Sequence, residues 1–244
     1  MMQKDSGQQT RLAIVGFGLI GQRHSEAIEA APRVKLVAVV EPEGSASRAA
    51  VEPSVAVFGD ITQMLEDARP DGVIIASPTT LHVPHAKQCV AAGVPALIEK
   101  PISEDLAAAQ ELTREAAQAN VALLVGHHRR FNPIAQRTHD LIRSGEIGDV
   151  RAINAICWLY KPDYYFDNAP WRKKKGAGPV SVNLIHDVDL MRYFCGEVVA
   201  VQAQFAGAKR GYENEDLASA ILLFESGAIG TVSVSDSIAS PWSW

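Results

Sequence analysis

The first half of the chain alternates short apolar runs with stretches of helical periodicity. Strands are indicated at residues 11–15, 34–40, 55–58, 71–76, 96–99 and 121–125, and the continuous apolar runs at 34–40 and 71–76 are of the kind buried on both faces of a sheet. Helical patterns fall between them at residues 22–31, 45–51, 61–68, 81–92 and 103–119. This alternation predicts an α/β domain with a doubly wound parallel sheet over residues 1–125.

The pattern changes at residues 126–133. Helices are predicted at residues 132–144 and 179–195, and strands at residues 150–159, 197–205, 216–224 and 228–235. Residues 199–205 alternate apolar and polar side chains, which predicts a half-buried antiparallel strand, and residues 225–227 form a hairpin turn. Residues 126–244 are therefore expected to form an α+β domain with an open, mainly antiparallel sheet.

Composition limits the possible functions. The chain has 244 residues, 47% of them hydrophobic, and a formal net charge of −5, so no strong basic field supports nucleic-acid binding. No apolar run reaches 18 residues and the N-terminal segment lacks an apolar signal core, so we expect a cytoplasmic protein without a membrane partner. Three widely spaced cysteines without a CxxC motif favour buried thiols over a disulfide framework or a metal site.

A glycine-rich loop connects the first strand to the first helix. Gly16, Gly18 and Gly21 form GxGxxG, in which the backbone approaches a pyrophosphate at a helix N-terminus. Glu41 ends the next strand and is suited to accept hydrogen bonds from a ribose, which favours NAD over NADP, although Arg48 nearby weakens that preference. The alternative is a glycine turn needed only for packing. The predicted cofactor contacts here are Gly16, Phe17, Gly18, Leu19, Ile20, Gly21 and Glu41.

Seven motifs in order resemble the glucose–fructose oxidoreductase, inositol dehydrogenase and rhizopine-catabolism (Gfo/Idh/MocA) family. They are GFGLIGQRH (16–24), EP (41–42), ASPTTLH (76–82), EKP (99–101), GHHRRFNP (126–133), PWR (170–172) and NLIHDVDLMRY (183–193). The resemblance implies an NAD-binding Rossmann domain followed by a substrate domain whose open sheet often makes the oligomer interface. Family members usually continue further, so the second domain is expected to lack a C-terminal part, or else SPWSW (240–244) covers the sheet edge.

The resemblance also implies roles in the first domain. The turn after the fourth strand contacts the cofactor through Ser77, Pro78, Thr79 and His82, although an ordinary β-to-α turn is the alternative. Glu99 and Lys100 lie beside the nicotinamide, and the Lys100–Pro101 peptide is expected to be cis. Lys100 touches the substrate and stabilises the alkoxide that develops there.

In the second domain the resemblance assigns the acid/base role to His186. A neutral imidazole accepts the proton of a secondary alcohol while hydride leaves the same carbon. Many family members have an aspartate four residues earlier, where this chain has Val182; Asn183 is the nearest polar substitute, and Asp189 is another candidate partner for the imidazole. The alternatives are a structural histidine and a helix salt bridge.

The substrate-binding residues are expected to be Lys100, Trp171, Arg172, Asn183 and His186, because aromatic faces and a guanidinium suit a sugar. An aromatic-packed structural loop is the alternative around Trp171. The predicted activity is hydride transfer from a secondary hydroxyl of a sugar, inositol or related polyol to NAD. A non-catalytic NAD-binding regulator and a glycosidase that uses bound NAD for transient oxidation remain open, and a homo-oligomer (dimer or tetramer) through the second-domain sheet is expected.

Overall fold

The computed structural model describes residues 9–207 and 209–241. The chain divides into two compact units, Met1–Gly126 and His127–Trp244. Of the SPWSW segment, residues 242–244 lie outside the described part. In the described part, no helix has the length and apolar character needed to cross a membrane.

The first unit is a six-stranded parallel sheet with helices between the strands. Its strands are β1 (Thr10–Val15), β2 (Val34–Val40), β3 (Ala56–Phe58), β4 (Gly72–Ile75), β5 (Ala96–Ile98) and β6 (Leu123–Val125). Its helices are α1 (Leu19–Glu29), α2 (Ile61–Ala68), α3 (His82–Ala91) and α4 (Leu106–Gln118), with 3₁₀ turns at Ala46–Ala50 and Thr79–Leu81. The strand order β3-β2-β1-β4-β5-β6 is that of a dinucleotide-binding Rossmann fold, which confirms the predicted fold class.

Successive side chains of the central strands point into two separate cores. Val15 and Ile75 pack on one face with Met64 and Leu112, and Ile14 packs on the other face with Ile28 of α1. Burial on both faces explains why these strands are continuous apolar runs in the sequence. The order of the sheet reverses between β1 and β4, and in such sheets ligands bind at the carboxyl ends of these strands.

Two helix boundaries differ from those predicted. Helix α1 begins at Leu19, directly after the glycine turn, rather than at Gln22. Helix α4 begins at Leu106, because Asp105 is its N-cap and its side chain accepts a hydrogen bond from the Ala108 N–H.

The second unit is an α+β fold. Its strands are β7 (Ala152–Trp158), β8 (Val198–Ala206), β9 (Leu217–Phe224) and β10 (Ile229–Ser235). Its helices are α5 (Pro133–Arg143), α6 (Asp163–Asp167) and α7 (Ile185–Cys195). 3₁₀ turns lie at His128–Phe131 and Pro170–Lys173, and the turn Val180–Leu184 before α7 is π-helical, so the single helix predicted at residues 179–195 is in fact two helical types.

The second sheet has the order β7-β10-β9-β8, in which only the β7–β10 pair is parallel. Leu222, Phe224 and Val232 form its buried face. The prediction that residues 199–205 have a buried apolar face is wrong, because Val201 is 61% and Phe205 is 77% exposed. In the register, Val201 lies opposite Leu222, but β8 is the edge strand and the core reaches it only at Val198.

Candidate functional site

The three positions of the loop after β1 are occupied by glycine for different physical reasons. Gly16 has a φ of +89°, and a Cβ there would lie 2.6 Å from the Ser77 backbone nitrogen. A Cβ on Gly21 would overlap the carbonyl oxygen of Gly16. At Gly18 a Cβ would meet no atom within 4 Å, so packing within the chain does not require glycine there. The open space at Gly18 fits a ligand that approaches the backbone closely.

The N-terminus of α1 faces this loop. Gly18 is the N-cap and provides no side-chain cap, so the first helical N–H groups remain suited to an anion. Leu19 and Ile20 are 68% and 46% exposed at the same place. A glycine cradle without a Cβ next to a helix N-terminus suits an anionic group such as a pyrophosphate.

Glu41 at the end of β2 is tied to the glycine loop. Its buried carboxylate accepts hydrogen bonds from the Phe17 N–H at 2.6 Å, the Ser45 hydroxyl at 2.5 Å and the Ser47 hydroxyl at 3.0 Å. The Arg48 guanidinium donates to the Glu41 carbonyl oxygen at 3.3 Å. The carboxylate therefore lies beside the loop as the sequence predicts, and its negative charge opposes a 2′-phosphate.

We expect NAD to bind more tightly than NADP, and Glu41→Ala to weaken NAD binding. The weakening should be about 1.5–3 kcal/mol, the range for hydrogen bonds to a charged group. Calorimetric titration with both dinucleotides measures this, and Ser47→Ala is a control because it removes one hydroxyl donor but keeps the carboxylate. Tighter binding of NADP by the unmodified protein would contradict the assignment.

His82 on the turn after β4 is a structural brace. Its side chain is 1% exposed, and its two ring nitrogens each lie 2.8 Å from a carbonyl oxygen, one of Ser77 and one of Pro101. The ring thus has no nitrogen left for a cofactor, and it joins the Ser77 turn to the turn that follows Lys100. Pro78 is exposed and Thr79 half-buried on the same turn.

The EKP turn after β5 is connected to α1. Glu99 accepts a hydrogen bond from His24 at 2.9 Å and one from the Lys100 N–H at 3.2 Å. Burial alone would raise the pKa of Glu99, but these hydrogen bonds and the nearby positive charges hold it below its ordinary value. The Lys100–Pro101 peptide is cis, which confirms the prediction, and Lys100 itself is half-buried.

In the second unit, the GHHRRFNP segment holds the N-terminal part of α7. The ring of His128 packs edge-on against that of His186, with 4.9 Å between centroids. The Arg129 guanidinium donates to Asp187 at 2.6 Å, and Arg130 binds both carboxylate oxygens of Asp189 at 2.8 and 2.7 Å. These paired charges fix the helix around His186.

Asp189 on α7 is bound by an arginine. It is 5% exposed, and Arg130 occupies both of its oxygens. This ion pair favours the salt-bridge alternative for Asp189.

Asn183 and Arg172 lie in an environment that the sequence did not reveal. The Lys161 ammonium donates to the Asn183 side-chain oxygen at 2.6 Å, although Lys161 is only 2% exposed. The Arg172 guanidinium lies 3.9 Å from the centroid of the Tyr165 ring, and Trp171 is 57% exposed.

Sequence reasoning thus missed two kinds of residue. His24 and Lys161 were given no role, and their partners lie 75 and 22 positions away along the chain. The arginines of GHHRRFNP were recognised only as part of a motif. A usable signal was present there. The motif has two adjacent arginines, and the predicted helix carries two aspartates two residues apart, so the sequence offers two ion pairs.

The model of an oxidoreductase family with an NAD-binding Rossmann fold matches residues 10–127, and the model of the GFO/IDH/MocA C-terminal domain matches residues 135–243. In the described residues, no group of three or more His, Cys, Asp or Glu side chains is placed to hold a metal ion.

Relatives of known name agree with this match. The rhizopine catabolism protein MocA of Rhizobium meliloti is 28% identical over 92% of this chain and 70% of its own length. The scyllo-inositol 2-dehydrogenase (NAD(+)) of Bacillus subtilis is 29% identical over 93% of this chain and 67% of its own length. The WlbA dehydrogenase of Chromobacterium violaceum, solved with NADH and UDP-GlcNAcA, is 28% identical with a TM-score of 0.89, covering 99% of this chain and 71% of that one. The chain therefore belongs to the Gfo/Idh/MocA family of NAD-binding oxidoreductases.

Proposed function

We propose that the protein is an NAD-dependent dehydrogenase that oxidises a secondary hydroxyl of a sugar, inositol or related polyol. The observation that supports this most is the glycine loop, where Gly18 leaves an open cradle at the N-terminus of α1 with the Glu41 carboxylate alongside. One similar protein is a scyllo-inositol 2-dehydrogenase (NAD(+)), and one similar dehydrogenase was solved with NADH and UDP-GlcNAcA. The glycine loop supports the cofactor and the similar proteins support the substrate class.

Lys100 and His186 divide the proton chemistry in this proposal. The Lys100 ammonium donates to the substrate hydroxyl and stabilises the negative charge that develops on its oxygen. The His186 imidazole accepts the hydroxyl proton. NAD, when bound, supplies the hydride acceptor.

The surroundings of His186 suit a base that must keep one orientation. The ion pairs of Arg129 with Asp187 and of Arg130 with Asp189 restrain the helix directly C-terminal to His186. The ring of His128 packs against the imidazole itself and limits its rotation. A catalytic base that is held in one orientation reacts faster than free water, because the cost of orienting it has already been met by the fold.

A substrate panel tests the proposed function. The protein is incubated with NAD and a series of inositols, aldoses and sugar derivatives, and NADH formation is followed by absorbance. We expect steady NADH production with at least one polyol or sugar. Glycoside release without net NADH would instead show the glycosidase alternative. NAD binding without turnover of any substrate would show the regulator alternative.

The outer face of the second sheet is proposed to pair with another copy of the chain. Four apolar side chains on this face are between 42% and 60% exposed, namely Ile156, Ile221, Leu223 and Ile229. In the register Ile229 lies opposite Leu223, and Ile221 lies two residues before Leu223 on the same face of β9. Exposed apolar sheet surface of this kind is typical of an interface between proteins.

We expect the protein to sediment as a dimer or tetramer, and Ile221→Lys to shift it toward the monomer. A charge at the centre of an apolar interface leaves an unpaired buried ammonium, which costs several kcal/mol. Leu106→Lys is the matched control, because Leu106 is 73% exposed on α4 of the first unit. A monomer for the unmodified protein at high concentration would contradict the proposal.

A further inference from the structure

The Glu99-Lys100-Pro101 turn after β5 is held at both ends by a histidine, each from a different helix. The His82 ring of α3 lies 2.8 Å from the Pro101 carbonyl oxygen. The His24 ring of α1 lies 2.9 Å from one carboxylate oxygen of Glu99. Lys100 is the residue between these two contacts, so both of its neighbours in the chain are anchored.

The Glu99 carboxylate is packed between three elements of the first unit. Its side chain is 17% exposed; Oε1 contacts the His24 ring, and Oε2 accepts a hydrogen bond from the Lys100 N–H at 3.2 Å. On a third side lies Gly126 after β6, where a Cβ would be 3.0 Å from Oε1. The Gly126 N–H donates to the Ile98 carbonyl oxygen at 2.8 Å, so this side is tied to the sheet. The carboxylate therefore has little room to shift while both of its hydrogen bonds are made.

The negative charge of Glu99 is maintained by the groups that face it. Burial alone would raise its pKa, but the hydrogen bond from His24 and the charges of His24 and Lys100 hold it below its ordinary value. An ionised carboxylate is only an acceptor, so the His24 Nε2 atom carries the proton of this hydrogen bond. Among the influences that lower the pKa, the hydrogen bond from His24 is the largest.

His24 belongs to the helix whose N-terminus faces the glycine loop. It lies three residues after Gly21 on the same side of α1, and Gly21 packs against the Gly16 carbonyl oxygen. The contact between His24 and Glu99 thus joins the helix that is suited to the pyrophosphate to the turn that carries the proposed catalytic lysine. Loss of this contact would free the turn to move relative to the helix.

We propose that His24 is a positioning residue that acts through Glu99 and holds Lys100 in a fixed place relative to helix α1. This inference rests on the proposed dehydrogenase activity and adds a residue that serves it from outside the reacting atoms. Lys100 stabilises the alkoxide, and His24 determines where Lys100 stands. A displacement of about 1 Å in a reacting group can cost about 10²-fold in rate, so one hydrogen bond at this place has a large effect on turnover.

Two substitutions of His24 test this role. His24→Leu removes the ring N–H and keeps an apolar side chain of moderate size, whereas His24→Gln keeps an N–H donor near the end of the side chain. We expect His24→Leu to lower kcat about 10- to 100-fold while NAD affinity changes by less than about threefold, and His24→Gln to recover most of the loss. Steady-state kinetics with a substrate from the panel and calorimetric titration with NAD measure these effects.

A double variant shows whether His24 acts through Lys100. In the Lys100→Ala background, His24→Leu should lower kcat by less than about twofold, because the cation that it positions is absent. The same fold loss in both backgrounds would overturn the inference, since a merely structural histidine would weaken both proteins alike. Arg23→Gln is the matched control on the same helix and should leave kcat unchanged, because Arg23 is exposed and pairs with Glu26 at 2.8 Å.

Amide hydrogen exchange gives a readout that needs no substrate. The Lys100 N–H donates to Glu99, so its exchange rate, followed by NMR, reports how firmly the carboxylate holds the turn. We expect exchange of this amide to be about tenfold faster or more in His24→Leu, as loss of a hydrogen bond to a charged group predicts, and unchanged in Arg23→Gln. An unchanged rate in His24→Leu would overturn the inference.

The outcomes separate this inference from the proposed function. If His24→Leu does not fold, as judged by circular dichroism, Glu99→Gln takes its place, because the amide keeps the shape of the side chain and removes its charge; the same losses of kcat and of exchange protection are expected. Turnover that His24→Leu leaves unchanged would overturn the role of His24 and leave the dehydrogenase intact. No NADH with any substrate would defeat the proposed function, and the exchange rate of the Lys100 amide then decides alone whether His24 holds the turn.

Discussion

His186→Ala and Lys100→Ala are each expected to abolish most turnover while NAD still binds. General acid–base catalysis contributes about 10²–10⁴-fold, so the His186 variant should lose at least about 10²-fold in kcat. A charge that is positioned for a developing alkoxide is worth roughly 3–4 kcal/mol, which gives the Lys100 variant a loss of similar order. Steady-state kinetics with a substrate from the panel measures both losses, and calorimetry measures NAD affinity.

The double variant distinguishes a shared task from two separate ones. If both residues act on one hydroxyl proton, the losses are less than additive. Raising the pH should partly rescue His186→Ala, because hydroxide replaces the missing base. His139→Ala is a control histidine of the same unit, since His139 stacks on Tyr193 with 3.9 Å between centroids.

Near-normal turnover by His186→Ala would show that the base is assigned to the wrong residue. Asp187 is then the next candidate, and it projects about 100° around the helix from His186. One of its oxygens accepts from Arg129, whereas the other is buried without a hydrogen-bond partner in the described residues.

Alanine is expected to destabilise the fold at Gly16 but not at Gly18. Gly16→Ala should destabilise the fold by about 2–5 kcal/mol, since a positive φ costs a residue with a Cβ about 1–2 kcal/mol and an added methyl in packed space about 1–3 kcal/mol. Gly18 has a φ of −64° and open space around it, so Gly18→Ala should change stability by less than about 0.5 kcal/mol.

Gly18→Ala should nevertheless weaken NAD binding. A methyl group in the cradle displaces the pyrophosphate, and about 1–3 kcal/mol of steric cost corresponds to roughly 5- to 150-fold in affinity. Urea unfolding measures the first effect and calorimetry the second. An alanine at Gly18 that binds NAD with unchanged affinity would show that the open space does not serve the cofactor.

The sequence predicted most of the first unit because its signals are local. The apolar run of β2 and the glycine turn after β1 are each readable within ten residues. Helix α4 was misplaced by three residues at its start, since an aspartate cap competes there with helix periodicity. The edge strand β8 has the alternation of a buried strand, but alternation does not reveal whether anything packs on it.

The candidate site was less accessible to sequence reasoning. The glycine loop and Glu41 follow from a motif, whereas the brace at His82 depends on two backbone carbonyl oxygens that no pattern encodes. Lys161 would ordinarily be placed in solvent, and only the fold reveals its burial against Asn183.

The π-helical turn before α7 is a place where the chain of the second unit can lose one residue. A π turn contains one more residue than an α turn, so deletion of one residue within Val180–Leu184 would rewind it without changing the rest of α7. The arginine ion pairs at Asp187 and Asp189 would keep His186 in place. Asn183 would meanwhile rotate relative to it by about 100°. Insertions and deletions in this turn would therefore move Asn183, a proposed substrate contact, while the proposed base His186 keeps its place.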